Sequence, residues 1–281
     1  MTTRPSAVRE GRTMTTDAEL SREVAREAGQ LLLALREGFG PIDDKDAANA
    51  LRKQGDRNAH VRIMELLSAA RPGDAILSEE GKDDAARLDA ERVWIVDPLD
   101  GTYEYGQGRV DFAVHIALWE PGPRRLSACT VDLPAQGLTR SVVEPVEGPA
   151  PLPTDRPIRI VASRSRPPAT LPRTVELLAD ALAASGVNQN GVEIMDVGSV
   201  GAKVNEIISG RADAYVHDTG FYEWDVAAPY GVAMHYGLVP SHLDGSPVVF
   251  NQMPPYVTDL MVSHPDLVAP LRSALQAAAI S

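Results

Sequence analysis

The run Trp94-Ile-Val-Asp97-Pro-Leu-Asp100-Gly-Thr102 sets two carboxylates three residues apart at the exit of a hydrophobic stretch, with Pro98 and Gly101 shaping a turn between them. Taken alone, that pattern is compatible with an ordinary strand-to-turn transition. Three more segments offer acid: Glu79-Glu80 follows the short apolar run Ala75-Ile-Leu-Ser78, Asp56 stands near a helical pattern, and Trp224-Asp225 opens another. Two carboxylates ~4 Å apart repel by about 4 kcal/mol at an effective dielectric near 20, and a larger cluster multiplies that cost unless cations relieve it. Oxygen-only ligation selects hard ions, and Mg2+ is the usual one that binds through a few carboxylates while leaving positions for water and phosphate. The chemistry suited to such a group is metal-assisted hydrolysis of a phosphate ester.

These residues need elements to position them. Thr16-Asp-Ala-Glu19 is a capping-box signature, and Leu20, Val24, Ala28, Leu31, Leu32 and Leu35 recur at helical spacing until Gly38 and Gly40-Pro41. Ala59, Ile63, Leu66, Leu67 and Ala70 predict a second helix ending at Pro72-Gly73, which places Asp56 near its start. Ala75 to Ser78 and Val93 to Val96 read as strands that each deliver acid at their C-terminal ends. Phe112 to Trp119 alternates with period two, and Pro121-Gly122-Pro123 turns it toward Leu126 to Leu133 in an antiparallel hairpin. Pro145, Pro149, Pro151, Pro153 and Pro157 mark a loop and domain junction. Beyond it come strand (158 to 162), helix (171 to 184), strand (192 to 195), helix (200 to 208), strand (212 to 216), helix (from Trp224) and a closing helix (265 to 279), the alternation of α/β layers. The expected organisation is a leader over residues 1–16, an N-terminal α+β metal-binding domain over 17–150 and a C-terminal α/β substrate domain over 151–281.

The 281 residues, 44% hydrophobic and 23% charged, suit a globular protein of this size, and no apolar run approaches the ~20 residues that span a bilayer. The leader has charge and hydroxyls but no apolar stretch of signal-peptide type, so a soluble cytoplasmic protein without a membrane partner is expected. The single cysteine, Cys129, excludes an intrachain disulfide and a thiolate zinc site, and its apolar neighbourhood predicts plain strand packing. A formal net charge of −12 argues against a nucleic-acid polymer as partner but leaves room for a small anion where metals reverse the local sign. The six histidines are scattered without ligand spacing; they read as structural or surface residues, with His217 alone near the acids. Trp94 and Trp224 flank acids, and packing is the role expected of both. Glu80 has a weaker claim than Glu79, because adjacent side chains at a strand end diverge.

Asp97-Pro-Leu-Asp100-Gly-Thr102, the preceding Leu77-Ser-Glu-Glu80 and the later Trp224-Asp225-Val-Ala-Ala together resemble the signature motifs of the inositol monophosphatase family, in order along nearly the whole chain. Glu104 and Gly198-Ser199-Val-Gly-Ala-Lys203 make the likeness strongest to its bacterial 3'-phosphoadenosine 5'-phosphate (PAP) phosphatase branch. The resemblance implies an α/β fold, α+β layered, in an alternating α-β-α-β-α sandwich with an antiparallel sheet in the first half and a mixed sheet in the second. It implies two to three Mg2+ ions: Glu79, Asp97 and the Leu99 carbonyl for one, Asp97, Asp100 and Asp225 for a second, and a weaker ion near Glu79 and Asp56. Thr102 and Asp56 would position and deprotonate the attacking water, with the backbone N–H groups of Gly101 and Thr102 facing the phosphate. It also implies inhibition by Li+ at a Mg2+ position and a link to sulfate assimilation.

Substrate contacts follow from the same resemblance. Ser199 and Lys203, four apart on a helix, would receive the second phosphate of PAP, and Asp218 would bind substrate hydroxyls. Tyr103 departs from the PAP branch, which often carries a basic residue there; Arg164 and Arg166 could supply the missing positive charge. Inositol 1-phosphate and fructose 1,6-bisphosphate are the alternative substrates, and a non-catalytic metal-binding regulator is the alternative of another class. Homodimers are common among such proteins, while no interface stripe is visible in the chain.

Overall fold

The computed structural model describes residues 15–42, 44–122, 125–146 and 148–280. The leader up to residue 14 and Pro123 of the hairpin turn lie outside the described residues. Thr16 caps the first helix, α1 (Asp17–Phe39), as the capping box requires: its hydroxyl accepts from Glu19 N–H and the Glu19 carboxylate accepts from Thr16 N–H. Helix α2 runs over Lys45–Ala70, so its start lies well before the apolar pattern and Asp56 sits in its interior, which corrects the expected position. The first half of α2 hides its periodicity because it buries small residues, Ala48 and Gly55, among charged ones. Gly55 is required there: a Cβ would stand 2.8 Å from the Tyr105 ring and 3.0 Å from Leu99. That close approach brings the neighbouring Asp56 over the acidic strand.

The remaining elements are β1 (Ala75–Ser78), β2 (Val93–Asp100), α3 (Thr102–Gly106), β3 (Ala113–Glu120), β4 (Arg125–Leu133), β5 (Leu138–Ser141), β6 (Ile158–Ser163), α4 (Leu171–Ser185), β7 (Val192–Val197), α5 (Val200–Ile208), β8 (Ala214–His217), β9 (Phe221–Tyr222), α6 (Glu223–His235), β10 (Val239–Ser241), β11 (Tyr256–Val257), β12 (Leu260–Ser263) and α7 (Val268–Ile280). One sheet has the order β1-β2-β3-β4-β5, antiparallel except for the parallel pair β1 and β2. A second sheet, β10-β12-β8-β6-β7, mixes parallel and antiparallel pairs, and β9 pairs with β11 in a two-stranded ribbon.

The apolar clusters define five layers. Helices α1 and α2 cover one face of the first sheet through Leu32, Ile63, Trp94, Val96 and Ile116. The opposite face, with Val93, Ile95 and Ala117, packs on α5 and α6, which in turn meet the second sheet at Val161, Tyr215 and Val262. Helices α4 and α7 close the outer face through Leu178, Met261 and Leu271. The result is the expected α-β-α-β-α sandwich. A sheet covered on both faces needs apolar residues at successive positions, which is why Val93-Trp-Ile-Val96 reads as a continuous hydrophobic run. Cys129 is buried in this packing, where burial pushes its thiol pKa up.

Candidate active site

Strand β2 does not stop at Val96, as its sequence suggests, but continues to Asp100 with an irregularity. Asp97 pairs with His115 and Asp100 with Ala113, so three steps on β2 match two on β3. The extra residue is a β-bulge. Side chains three apart on a regular strand point to opposite faces; the bulge shifts the parity and brings Asp97 and Asp100 to the same one. Leu99 correspondingly joins the α1/α2 layer, while both acids face α5 and α6.

Asp225 enters from the other half, in the first turn of α6, where its Oδ2 accepts from Tyr222 N–H at 2.8 Å. Asp97, Asp100 and Asp225 each bring a carboxylate oxygen within 4.8 Å of the others. Glu79, just past β1, keeps the strand pairing through its N–H to Val96 O at 3.2 Å, and its charge bears on Asp97. Burial and mutual repulsion drive the carboxyl pKa values upward: Glu79 to about 7, Asp225 to about 8, and Asp97 well above its ordinary value. Asp100 receives N–H bonds from Val200 at 2.6 Å and Gly201 at 3.3 Å, so it sits at the N-terminus of α5, where the helix dipole favours a negative charge. The donor set is all oxygen, and its carboxylates come from segments otherwise forced together against their own repulsion. That chemistry fits hard divalent ions such as Mg2+.

On the other side of β2, Thr102 Oγ1 lies 3.2 Å from Asp56 Oδ1 and 3.0 Å from the Leu99 carbonyl oxygen, to both of which it is placed to donate. Burial, Glu80 and Glu79 raise Asp56 to about 7. Gly101 is the N-cap of α3, with no side-chain cap on the turn that starts at Thr102.

A cleft of about 450 Å3 opens over this group and is lined, among others, by Glu79, Asp100, Thr102, Arg166, Lys203 and Asp225. That volume suits a small ligand. Three of the expected phosphate contacts are otherwise engaged. Arg164 bonds Glu104 at 2.9 Å and Asp111 at 3.0 Å, so its charge is already met. Lys203 is 4% exposed rather than solvated. Its ammonium donates to the Gly198 and Ser199 carbonyls, and burial lowers its pKa to about 8. The Ser199 hydroxyl accepts from Ala202 N–H as the α5 cap. Arg166, by contrast, makes no side-chain hydrogen bond or ion pair among the described residues. Asp218, just past β8, is exposed and does not line the cleft, and Glu80 is likewise exposed and off the cleft.

His217 does line the cleft, stacked on Phe221 at 4.3 Å, and burial lowers its pKa to about 4, which keeps it neutral. Trp94 is core, its indole N–H bonded to Asp74 at 2.8 Å. Trp224 is more than packing, since it borders the cleft and stacks on Tyr222. Two buried polar residues close to the acids in chain or in space were not singled out by the sequence reading. His115 is fully buried, with Nε2 3.4 Å from Asp100 Oδ2, and its signal was a lone polar residue in the apolar Phe112-Ala-Val-His-Ile-Ala-Leu-Trp119. Glu223, also fully buried, accepts from the N–H groups of Asn251 and Gln252 at 2.7 Å each, while Arg87 bonds Asn251 Oδ1 at 2.5 Å; that network had no local signature.

The model of the inositol monophosphatase family matches residues 14–276. The 3'-phosphoadenosine 5'-phosphate phosphatase of Mycobacterium leprae is 42% identical over 269 residues, covering 91% of this chain and 92% of its own. The 3'(2'),5'-bisphosphate nucleotidase CysQ of Escherichia coli is 29% identical over 236 residues, covering 80% and 90%. Among solved structures, CysQ from Bacteroides thetaiotaomicron superposes with a TM-score of 0.66 at 25% identity, covering 89% of this chain and 98% of that one. Inositol monophosphatase II from Staphylococcus aureus gives a TM-score of 0.68 at 17% identity, covering 90% and 92%. With motifs, layers and relatives in agreement, this chain belongs to the inositol monophosphatase family.

Proposed function

We propose that the protein is a Mg2+-dependent phosphomonoesterase that hydrolyses the 3'-phosphate of PAP, giving AMP and inorganic phosphate. The observation that carries the chemistry is the meeting of Asp97, Asp100 and Asp225 within 4.8 Å beside Glu79. The identity to relatives named as PAP phosphatases carries the substrate. Glu79, Asp97 and the Leu99 carbonyl would hold one ion, and Asp97, Asp100 and Asp225 a second. Bound Mg2+ supplies Lewis acidity toward the phosphoryl oxygens and lowers the pKa of water.

The chain's own residues then do the following. Thr102 hands its hydroxyl proton to Asp56 as it takes one from the attacking water, and Asp56, raised to about 7, is matched to that task near neutral pH. The water oxygen bonds to phosphorus, keeping its second proton on the new phosphate, as the phosphorus to 3'-oxygen bond breaks; the departing 3'-oxygen takes up a proton from solvent, and Asp56 returns to solvent the proton it received. The N–H groups of Gly101 and Thr102 face the transferred phosphoryl group. Arg166, on the cleft and without a side-chain partner among the described residues, takes the second phosphate in place of Arg164 and Lys203. Lys203 instead ties the carbonyls of Gly198 and Ser199 to the turn that presents N–H groups to Asp100. The same reading places the protein in the cytoplasm and in sulfate assimilation.

The test is phosphate release from PAP, inositol 1-phosphate and fructose 1,6-bisphosphate by the purified protein with Mg2+, with excess EDTA and with Li+. PAP should give the highest kcat/KM, EDTA should abolish release, and Li+ should inhibit. Preference for either other substrate overturns the nucleotide reading. Full activity in EDTA overturns the metal mechanism, and no release from any substrate leaves the non-catalytic regulator.

A further inference from the structure

Part of the cleft lining is aromatic and open. Tyr222 is 47% exposed and Tyr256 46% exposed, although both lie on paired backbone in the ribbon of β9 and β11 and directly oppose each other in register. Trp224 stacks on Tyr222 with ring centroids 4.6 Å apart and planes inclined by 12°, and Tyr256 meets Tyr222 edge-on at 5.8 Å. All three rings border the same cleft as Glu79, Asp100 and Asp225. Large aromatic rings left half in water cost free energy that burial elsewhere would recover, so a rigid exposed group of them inside a cleft points to a ligand surface.

The ledge is also indexed to the reactive acids. Asp225 Oδ2 accepts from Tyr222 N–H at 2.8 Å, so the backbone that carries the ledge is bonded directly to a carboxylate of the metal group. A ligand with its phosphate at the acids and a planar ring a few bonds away would lay that ring on Tyr222 and Tyr256. A polyol ring has no π face to stack and would leave these rings in water, whereas a nucleobase is planar and apolar on its faces. Arg166 lines the same cleft, so positive charge and aromatic surface are both offered to a ligand whose phosphate meets the acids.

We propose that Tyr222, Trp224 and Tyr256 form the base-binding subsite, a stacking ledge that selects phosphomonoesters carrying an aromatic base over those built on a polyol. This deepens the phosphatase reading above and rests on it. Stacking of a base on an aromatic side chain is worth roughly 1 to 3 kcal/mol by substitution, which converts to about a five- to hundredfold effect.

The experiment uses the full chain with Mg2+ and two readouts. One is the ratio of kcat/KM for PAP to that for inositol 1-phosphate; the other is quenching of tryptophan emission by AMP, which needs no turnover. Tyr222→Leu and Tyr256→Leu should each lower the PAP ratio about five- to hundredfold, through KM rather than kcat, and weaken AMP binding by a similar factor. Tyr222→Phe, which keeps the ring, should restore both. Val61→Ala, an exposed apolar residue of α2 outside the cleft, controls for surface change.

If the wild type hydrolyses PAP and both leucine variants keep the wild-type ratio and AMP affinity, the ledge is wrong and the phosphatase reading stands. A leucine variant that damages both substrates equally also overturns the ledge. If the wild type hydrolyses no PAP but AMP still quenches, and Tyr222→Leu abolishes it, the ledge stands and the substrate reading fails. Neither binding nor hydrolysis removes both.

Discussion

Asp97 is the carboxylate that both expected ion positions share, buried to 1% exposure between Glu79 and Asp100. Asp97→Asn keeps its shape and removes its charge. Loss of one preorganised electrostatic stabiliser costs about 2.7 to 4 kcal/mol, so kcat should fall about a hundredfold or more while the thermal transition survives. Wild-type turnover at saturating Mg2+ would place the active site elsewhere. Arg166→Ala removes a contact remote from the bond that breaks, so it should raise KM for PAP about ten- to hundredfold, the 1.5 to 3 kcal/mol of a hydrogen bond to a charged group, and touch kcat less. An unchanged KM would return the second phosphate to Lys203 or Arg164. The acids also predict a linkage between pH and metal. Glu79 and Asp56 are raised to about 7 and Asp225 to about 8, so between about pH 4 and 8 the folded state holds more protons than the unfolded chain. Their contribution to stability is full below about pH 4 and is lost as pH rises through 7 to 8. EDTA-treated protein should therefore lose this contribution from pH 5 to 8.5, and the gain in Tm on adding Mg2+ should grow over the same range. A gain independent of pH would show that the ion does not displace these protons.

At the scale of elements, the site depends on how closely α5 approaches the first sheet. At Gly201 a Cβ would stand 2.4 Å from His115 Nε2 and 2.7 Å from Val131 Cγ1, so no side chain fits between helix and strand. Gly201→Ala should cost about 1 to 3 kcal/mol in overpacking and push the α5 N-terminus away from Asp100. A lower Tm together with weaker Mg2+ affinity by calorimetry is expected; a lower Tm with unchanged affinity would mean that α5 does not position the carboxylate. The elements carrying the chemistry were legible to different depths. β1, β3, β4, α4 and α5 follow their periodicity closely. β5, β10 and β12, three or four residues long, went unread, and the polar first half of α2 packs on Leu99 and Tyr105 through Gly55 rather than through an apolar stripe.

Across the whole molecule, the central apolar cluster crosses the boundary expected near residue 150: Ile95, Ala117 and Val131 pack with Val161, Val204, Val226 and Val262. The clustered acids Asp97, Asp100 and Asp225 straddle the same boundary. We infer that the two halves unfold as a single cooperative unit. Denaturant curves by far-ultraviolet circular dichroism and tryptophan fluorescence should coincide, and Mg2+ should move both together; two separate transitions would instead establish independent domains. Residue types and local order determined that acids stand at strand exits and that Asp97, Asp100 and Asp225 are candidates for one site, because these are properties of short windows and of a motif read in order. The tertiary structure decided the rest. The bulge paired against β3 turned Asp97 and Asp100 to one face, where their spacing on a regular strand would have opposed them. The neighbours brought by folding neutralised Arg164, enclosed Lys203 and left Arg166 open to the cleft. A side chain's charge is written in the chain, but whether that charge is free depends on partners supplied by distant segments.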